Sequence, residues 1–592
     1  MGLFQKDLEP LRERWMAQWP RALNAWSRFT KLSPPRLLTS GSEEKKEGLT
    51  GSFAMIRLVD HAVVISLLQV EDLGLQDFGT EIMAHEIGHH VYAPADLKDN
   101  AMLIARIRVC LPTKESMSGF VSNLYTDLLI NNRLQRQEGL DMAGVYKKLQ
   151  QKDAGDLWSI YMMIYENLWG LPPGSLTPKV DNPRMVTDAG LGARVIRAYS
   201  KDWLDGAGRF ALLIAPYLPK DSSTLRLRVF FPMMDADNAG AGGEIPDGMA
   251  EVDEGELEGA IHPADDPEIT GLSEDEDEGE EGATAPNAGG RAIKGGKKNN
   301  YRSPAEYTAL MKSVMTKVSE DDLIIRYYRE RALPYLIRFP SKDAPTGGDP
   351  LPEGLDLWDV GDPFGDLDWV ETMVRSPVVI PGVNTLQRTY GYSPGASPDK
   401  APPDMYIGID CSGSMMNPKF GLSYPCLAGV IVAISALRAG ARVMACLSGE
   451  SPGKYTQTDG FIRDEKKILS LLTGYLGTGY SFGVERLRET FLTKKENKRP
   501  AHILVISDQD MFHMLEAVKD GWEVIAQAIL AGKAGGTFLL NIVYDRGLKF
   551  NSMREAGWNI HLVNNQEQML EFARKFSRQI YDKPSAKGAG KE

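Results

Sequence analysis

The chain has 592 residues, 43% of them hydrophobic, and a formal net charge of −13; it is long enough for two or three domains, each with a sizeable core. It holds no run of about 18 apolar residues, which argues against a helical membrane span, and its first seven residues offer neither a signal-peptide core nor a myristoylation signal, so the expected compartment is the cytoplasm. Cys110, Cys411, Cys426 and Cys446 lie far apart with no CxxC pair, which argues against a disulfide framework and against a cysteine zinc site; a metal here would be held by His and carboxylate.

Residues 1–232 read as a mostly helical domain, with apolar residues at three- and four-residue spacing through Leu8, Leu11, Trp15 and Trp19 and again from Val145 to Trp169. The β-branched stretches Ala54 to Val59 and Ala62 to Ser66 predict a small hairpin beside the helix that follows. From 233 to 300 the composition shifts to Gly, Asp, Glu, Ala and Pro, and acidity peaks between Glu274 and Glu281. Few large apolar side chains are present to offset the entropy of ordering, and a disordered linker is expected. Its charge disfavours nucleic acid as a partner, and the patch Arg291, Lys294, Lys297, Lys298 and Arg302 reads as a counterbalance.

Residues 301–398 open on an amphipathic helix, Pro304 to Lys317, continue through Asp322 to Arg329, and turn rich in Pro and Gly, a helical and irregular connector. From 399 to 582 apolar strands alternate with helices. Strands are expected at Met405 to Ile409, Ala441 to Leu447, His502 to Ile506, Phe538 to Val543 and Trp558 to Val563. Helices are expected around Ala428 to Leu437, Lys466 to Leu472, Phe482 to Phe491, Val524 to Leu530 and Glu567 to Ile580. That alternation calls for an α/β doubly wound domain, a parallel sheet with helices on both faces.

Two strings carry chemistry. In Ala84-His85-Glu86-Ile87-Gly88-His89-His90 the two histidines of a HExxH pattern stand one helical turn apart, so both imidazoles can reach one ion while Glu86 stands beside them as a general base toward water. Gly88 costs about 1 kcal/mol relative to Ala inside a helix, which points to close packing. A catalytic zinc needs a third protein ligand. Asp127 is favoured, one turn from Asn123 in an apolar stripe, with His90, Asp96 and Asn123 as competitors. Tyr125, Tyr161 and Tyr165 are candidates for an oxyanion contact, and each also fits an ordinary core position. Over residues 75–135 the sequence resembles the gluzincin-like, zincin-fold metallopeptidases, in which HExxH on one helix is completed by an acidic residue on a later helix. The resemblance implies Zn²⁺, a protein or peptide substrate, Glu86 as catalytic residue and His85, His89 and Asp127 as ligands.

The second string is Ile409-Asp410-Cys411-Ser412-Gly413-Ser414-Met415. One carboxylate and two hydroxyls follow an apolar strand, at the end where open parallel sheets bind ligands, and they are hard oxygen donors suited to Mg²⁺, with Mn²⁺ or Ca²⁺ as alternatives. From about 400 to 582 the chain resembles the von Willebrand factor A domain, whose metal-ion-dependent adhesion site has a DxSxS core. The resemblance implies that Asp410, Ser412, Ser414 and Asp508 belong to that site. The family's Thr is matched by Thr478 or Ser481, Thr478 being favoured, while Tyr480 stands at the strict position of that Thr in the Gly-rich loop.

An acidic tract ahead of a C-terminal A domain resembles the subunits that cooperate with AAA+ ATPases, including magnesium and cobalt chelatase partners and the proteins paired with MoxR-type ATPases. The chain has no phosphate loop of its own, since Gly290 to Gly296 and Gly449 to Lys454 both break the required spacing. Two functions stand: a cytoplasmic zinc peptidase whose A domain recruits a MoxR-type AAA+ ATPase or a substrate, and a non-catalytic adaptor with a structural zinc. A chelatase subunit would have no use for HExxH.

Overall fold

The computed structural model describes residues 7–49, 52–150, 155–219, 244–271, 301–315, 318–337, 342–343, 348–394, 400–448, 456–479, 483–542 and 550–579. They divide into two compact units, Met1–Glu330 with Lys419–Gly421, and Arg331–Pro418 with Leu422–Glu592.

The first unit is mainly helical. Helix Glu9–Asn24 buries Trp15, Trp19 and Ala22, and Trp26 just beyond it donates its indole N–H to the Ala84 carbonyl at 2.6 Å. The expected hairpin is present. Strand β2 (Ala54–Arg57) pairs antiparallel with β3 (Ala62–Ser66), and β1 (Arg36–Leu38) adds a parallel neighbour to β3. Strand β1 escaped the sequence reading because three residues are too few to show alternation. The HExxH string lies on helix Gly79–Val91, which packs against Glu9–Asn24 and the hairpin. Helix Ser118–Arg136 crosses behind it and is buried almost all round. Helices Met142–Leu149 and Gly155–Trp169 close the other side.

The expected linker, 233–300, is corrected over 244–271. Asp253 caps helix Glu254–Glu258 and Asp266 caps the short turn Pro267–Thr270, with Ile269 buried. These carboxylates are not left to solvent: Asp266 pairs with Arg209 and accepts from the Tyr199 hydroxyl at 2.8 Å, and Glu256 pairs with Arg302. Composition averaged over the window hid the cations that meet four of its acids: Arg326 at Asp247, Arg106 at Asp253, Arg302 at Glu256 and Arg209 at Asp266. The remaining residues of that stretch, including the acidic peak, lie outside the described residues.

The connector, expected at 301–398, divides. Helix Pro304–Val314 carries a capping box from Ser303 and Glu306 and packs on helices Leu97–Val109 and Ser118–Arg136, within the first unit. The first unit continues to Glu330, through most of helix Glu320–Ala332; the part from Arg331 on, in the second unit, holds an antiparallel pair of strands, Gly348–Leu357 and Leu386–Pro394, with helix Trp369–Arg375 between them.

The second unit is built on a six-stranded mixed sheet. Its strands are β4 (Asp404–Asp410), β5 (Val443–Ser448), β6 (Thr456–Gln457), β7 (Ala501–Ser507), β8 (Lys533–Leu540) and β9 (Trp558–Leu562), in the order β6-β5-β4-β7-β8-β9. All pairings are parallel except that of β6 with β5. Strands β4, β5 and β7 are buried at every position, which is why they read as continuous apolar runs. Helix Tyr424–Arg438 lies on one face, where Gly429 admits Ile506 so closely that a Cβ would stand 2.8 Å from its Cδ1. Helix Gly521–Gly532 packs on β7 and β8. From β4 the chain goes first to β5 on one side and later to β7 on the other, so the carboxyl ends of β4 and β7 flank a switch in winding direction, where open α/β sheets form a crevice.

Candidate metal centres

Helix Gly79–Val91 carries His85 and His89 on one face, and their Nε2 atoms lie 3.6 and 3.4 Å from Asp127 Oδ1 on helix Ser118–Arg136. The three donors form a group able to hold a metal ion. Glycine is what lets the helices approach: a Cβ on Gly88 would stand 2.6 Å from Ile130 Cγ2 and 2.6 Å from Trp26 Cζ2.

The imidazoles are oriented from behind. His85 Nδ1–H donates to Asn131 Oδ1 at 2.7 Å and His89 Nδ1–H to the Ala93 carbonyl at 3.1 Å. With Nδ1 as the donor, each neutral ring turns the lone pair of its Nε2 toward Asp127, the tautomer a metal needs. Asn131 is held in turn, its amide donating to the hydroxyls of Tyr146 and Tyr165 at 2.9 Å each. Asn123 Nδ2 donates to Asp127 Oδ2 at 3.1 Å, which leaves Oδ1 toward the histidines. Glu86, 2% exposed, joins His85, Asp127, Asn131 and Tyr146 in lining a cavity of about 40 Å³.

The competitors for third ligand are placed elsewhere. Asn123 orients the carboxylate, Asp96 caps helix Leu97–Val109, and the His90 ring stacks on His61 with centroids 3.8 Å apart. Of the tyrosines, Tyr125 donates to the Trp203 carbonyl at 2.8 Å, and Tyr161 and Tyr165 share a hydrogen bond of 3.1 Å. Tyr146 is the phenol on the cavity wall. Burial, and then Tyr165, raises its pKa, so it remains a proton donor. Sequence reading missed Asn131 and Tyr146. The first had a signal, since Asn123, Asp127 and Asn131 follow one another at four-residue spacing along one stripe; Tyr146 looked like any core aromatic.

In the second unit, Asp410 closes β4. Its Oδ1 accepts the Ser412 N–H at 2.8 Å and its Oδ2 accepts the Ser507 hydroxyl at 2.8 Å. The Ser412 and Ser414 hydroxyls lie 3.0 Å apart. The Gly-rich loop runs alongside: Gly413 N–H donates to the Thr478 carbonyl and Gly477 N–H to that of Cys411, both at 2.8 Å, and Ser412 bridges to Thr478. Gly477, at φ +66°, occupies the left-handed region that side chains disfavour. Asp508 follows β7 and accepts the Asp510 N–H at 2.8 Å. The fold thus gathers Asp410, Ser412, Ser414, Thr478 and Asp508 around the crevice, and adds Ser507, whose signal was its place directly before Asp508. Ser481 lies outside the described residues. Burial, with Asp508 nearby, raises the Asp410 carboxyl to about 7 against the hydrogen bonds it accepts.

No protein-family model, curated protein or solved structure matches the chain. Among the described residues no helix is long and apolar enough to cross a membrane.

Proposed function

We propose that the chain is a zinc-dependent hydrolase acting on peptide bonds, coupled to an A-type domain that recruits a protein partner through a divalent cation. The observation that carries this reading is the meeting of two imidazole Nε2 atoms and one carboxylate oxygen beside a cavity that His85, Asp127 and Glu86 line. Zinc bonds of about 2.0–2.1 Å at tetrahedral angles place donor atoms roughly 3.3–3.4 Å apart, and the separations of 3.6 and 3.4 Å suit that span. A mixed N and O donor set with Nδ1 atoms already engaged also favours zinc over magnesium or calcium.

Zinc supplies Lewis-acid polarisation of a carbonyl and acidification of water. In this chain His85, His89 and Asp127 would hold the ion. Glu86, adjacent to His85, would take the proton from the attacking water and return it to the leaving amine. Tyr146, kept protonated, would donate to the carbonyl oxygen as it gains charge. In the second unit Asp410, Ser412, Ser414, Thr478 and Asp508 would hold Mg²⁺, with a remaining position for a carboxylate from the partner, a MoxR-type AAA+ ATPase in this reading.

A second reading, a non-catalytic adaptor with a structural metal, is favoured by the size of the cavity. About 40 Å³ is room for an ion and a few waters beside the ligands. One experiment separates the two: metal content and hydrolysis of a mixed peptide pool by wild type, His89→Ala and Glu86→Gln. The hydrolase reading requires metal loss in His89→Ala, and retained metal with lost hydrolysis in Glu86→Gln. Full activity in Glu86→Gln sinks it, and metal-dependent folding with no hydrolysis in any protein establishes the adaptor.

A further inference from the structure

Helix Trp369–Arg375 is mounted the wrong way round for a soluble protein. Asp368 caps it by accepting the N–H groups of Val370 and Glu371. Trp369, Val370, Met373 and Val374 recur at one- and four-residue spacing and so share a face. That face points to solvent, with Val370 68% and Val374 77% exposed, while Thr372 on the opposite side is buried and accepts the Leu386 N–H at 3.0 Å. Its polar side is therefore the anchored one. Phe364 stands edge-on to Trp369 at 5.7 Å and is itself exposed, as are Val378 and Val383 in the segment that follows. Exposed apolar clusters of this kind mark interaction surfaces, because leaving several large side chains in water costs free energy that folding alone does not recover.

Charge identifies what covers the face. Between Glu353 and Tyr390 the chain carries seven carboxylates and two guanidinium groups, and one of those, Arg388, is taken up by Asp368 at 2.5 Å. Asp356, Asp359 and Asp366 are exposed. An anionic lipid surface or a nucleic acid would be repelled. A second copy would bring the same carboxylates against themselves, as an isologous contact must. We propose that this face docks a partner protein through an amphipathic helix whose apolar stripe is flanked by Lys and Arg, the stripe covering Trp369, Val370, Met373 and Val374 and the cations meeting the aspartates around them. None of its residues belongs to either candidate metal centre, and the proposal stands whether or not either reading of them holds.

The test uses the full chain and two labelled helical peptides with the same leucine face, one flanked by lysines and one by glutamates, followed by fluorescence anisotropy. The lysine peptide should bind, more weakly as salt rises. The Val370→Glu/Val374→Glu protein should bind it on the order of tenfold less tightly. Asp359→Asn/Asp366→Asn should flatten the salt dependence. The substituted positions are exposed, so unchanged melting temperatures are expected and show that a loss of binding is local. Equal binding of the glutamate peptide overturns the proposal, as does equal binding of the lysine peptide by the valine double variant, which would place the contact on another acidic stretch. A dimer in sedimentation that Val374→Glu dissociates assigns the face to a second copy, and capture by anionic vesicles that the valine variant abolishes assigns it to lipid; either result overturns it too.

Discussion

Asn131 Oδ1 lies 2.7 Å from His85 Nδ1, a side-chain hydrogen bond between helices Ser118–Arg136 and Gly79–Val91. It settles which imidazole nitrogen carries the proton, since the Asn131 amide is committed to Tyr146 and Tyr165 and only its carbonyl oxygen faces the ring. Replacing Asn131 by Ala frees the His85 ring to rotate and to take the other tautomer. Metal affinity is expected to fall about 10–100-fold, measured by chelator competition, while the three ligands stay in the chain. Unchanged affinity would mean that the ring is held by packing alone.

Gly88→Ala tests the approach of the helices. The added Cβ meets Ile130 and Trp26 at 2.6 Å, and Ile130 directly precedes Asn131. An overpacked contact of this kind costs about 1–3 kcal/mol. A lower unfolding midpoint together with weaker metal binding is expected; a variant as stable as wild type would show that the two helices can separate freely.

Cation binding in the second unit is expected to require Asp410, which takes part in the hydrogen bonds to both Ser412 and Ser507. Calorimetric titration with Mg²⁺ should lose its site in Asp410→Ala and weaken in Thr478→Ala, with metal at His85, His89 and Asp127 unaffected in both. Equal heats in wild type and Asp410→Ala would remove the cation from the account of partner recruitment.

His502 gives the second unit a pH dependence unrelated to metal. It is buried in β7, with Nδ1–H donating to the Ala534 carbonyl at 2.9 Å and Nε2 accepting from Thr537 at 3.0 Å, and burial lowers its pKa from 6.5 to about 4. The unfolded chain takes up a proton on His502 near pH 6.5 and the folded chain only near 4, so stability is full above 6.5 and falls as pH drops toward 4. The loss attributable to this residue is roughly 3 kcal/mol. His502→Asn should flatten the unfolding midpoint over that window, and a slope identical to wild type would assign the effect to other groups.

Much of this protein is legible in its sequence where a pattern is local. The spacing of His85 and His89, the apolar runs of β4, β5 and β7, and the turn chemistry of Asp410 to Ser414 each depend on residues a few positions apart, and helical or strand periodicity alone puts them on the right side of the chain. The tertiary structure decided what depends on distant partners. Asp127 meets the histidines across 38 residues or more, and Asn131 and Tyr146 join them, because Gly88 lets two helices close to contact. In the acidic stretch 244–271, Asp266 and Glu256 are held by Arg209 and Arg302, which lie 57 and 46 residues away in the chain. Helix Trp369–Arg375 has ordinary amphipathic spacing, and only its anchoring through Thr372 shows that the apolar face is turned outward. Periodicity reports that a face exists; which neighbour covers it is set by contacts between segments that the linear order does not bring together.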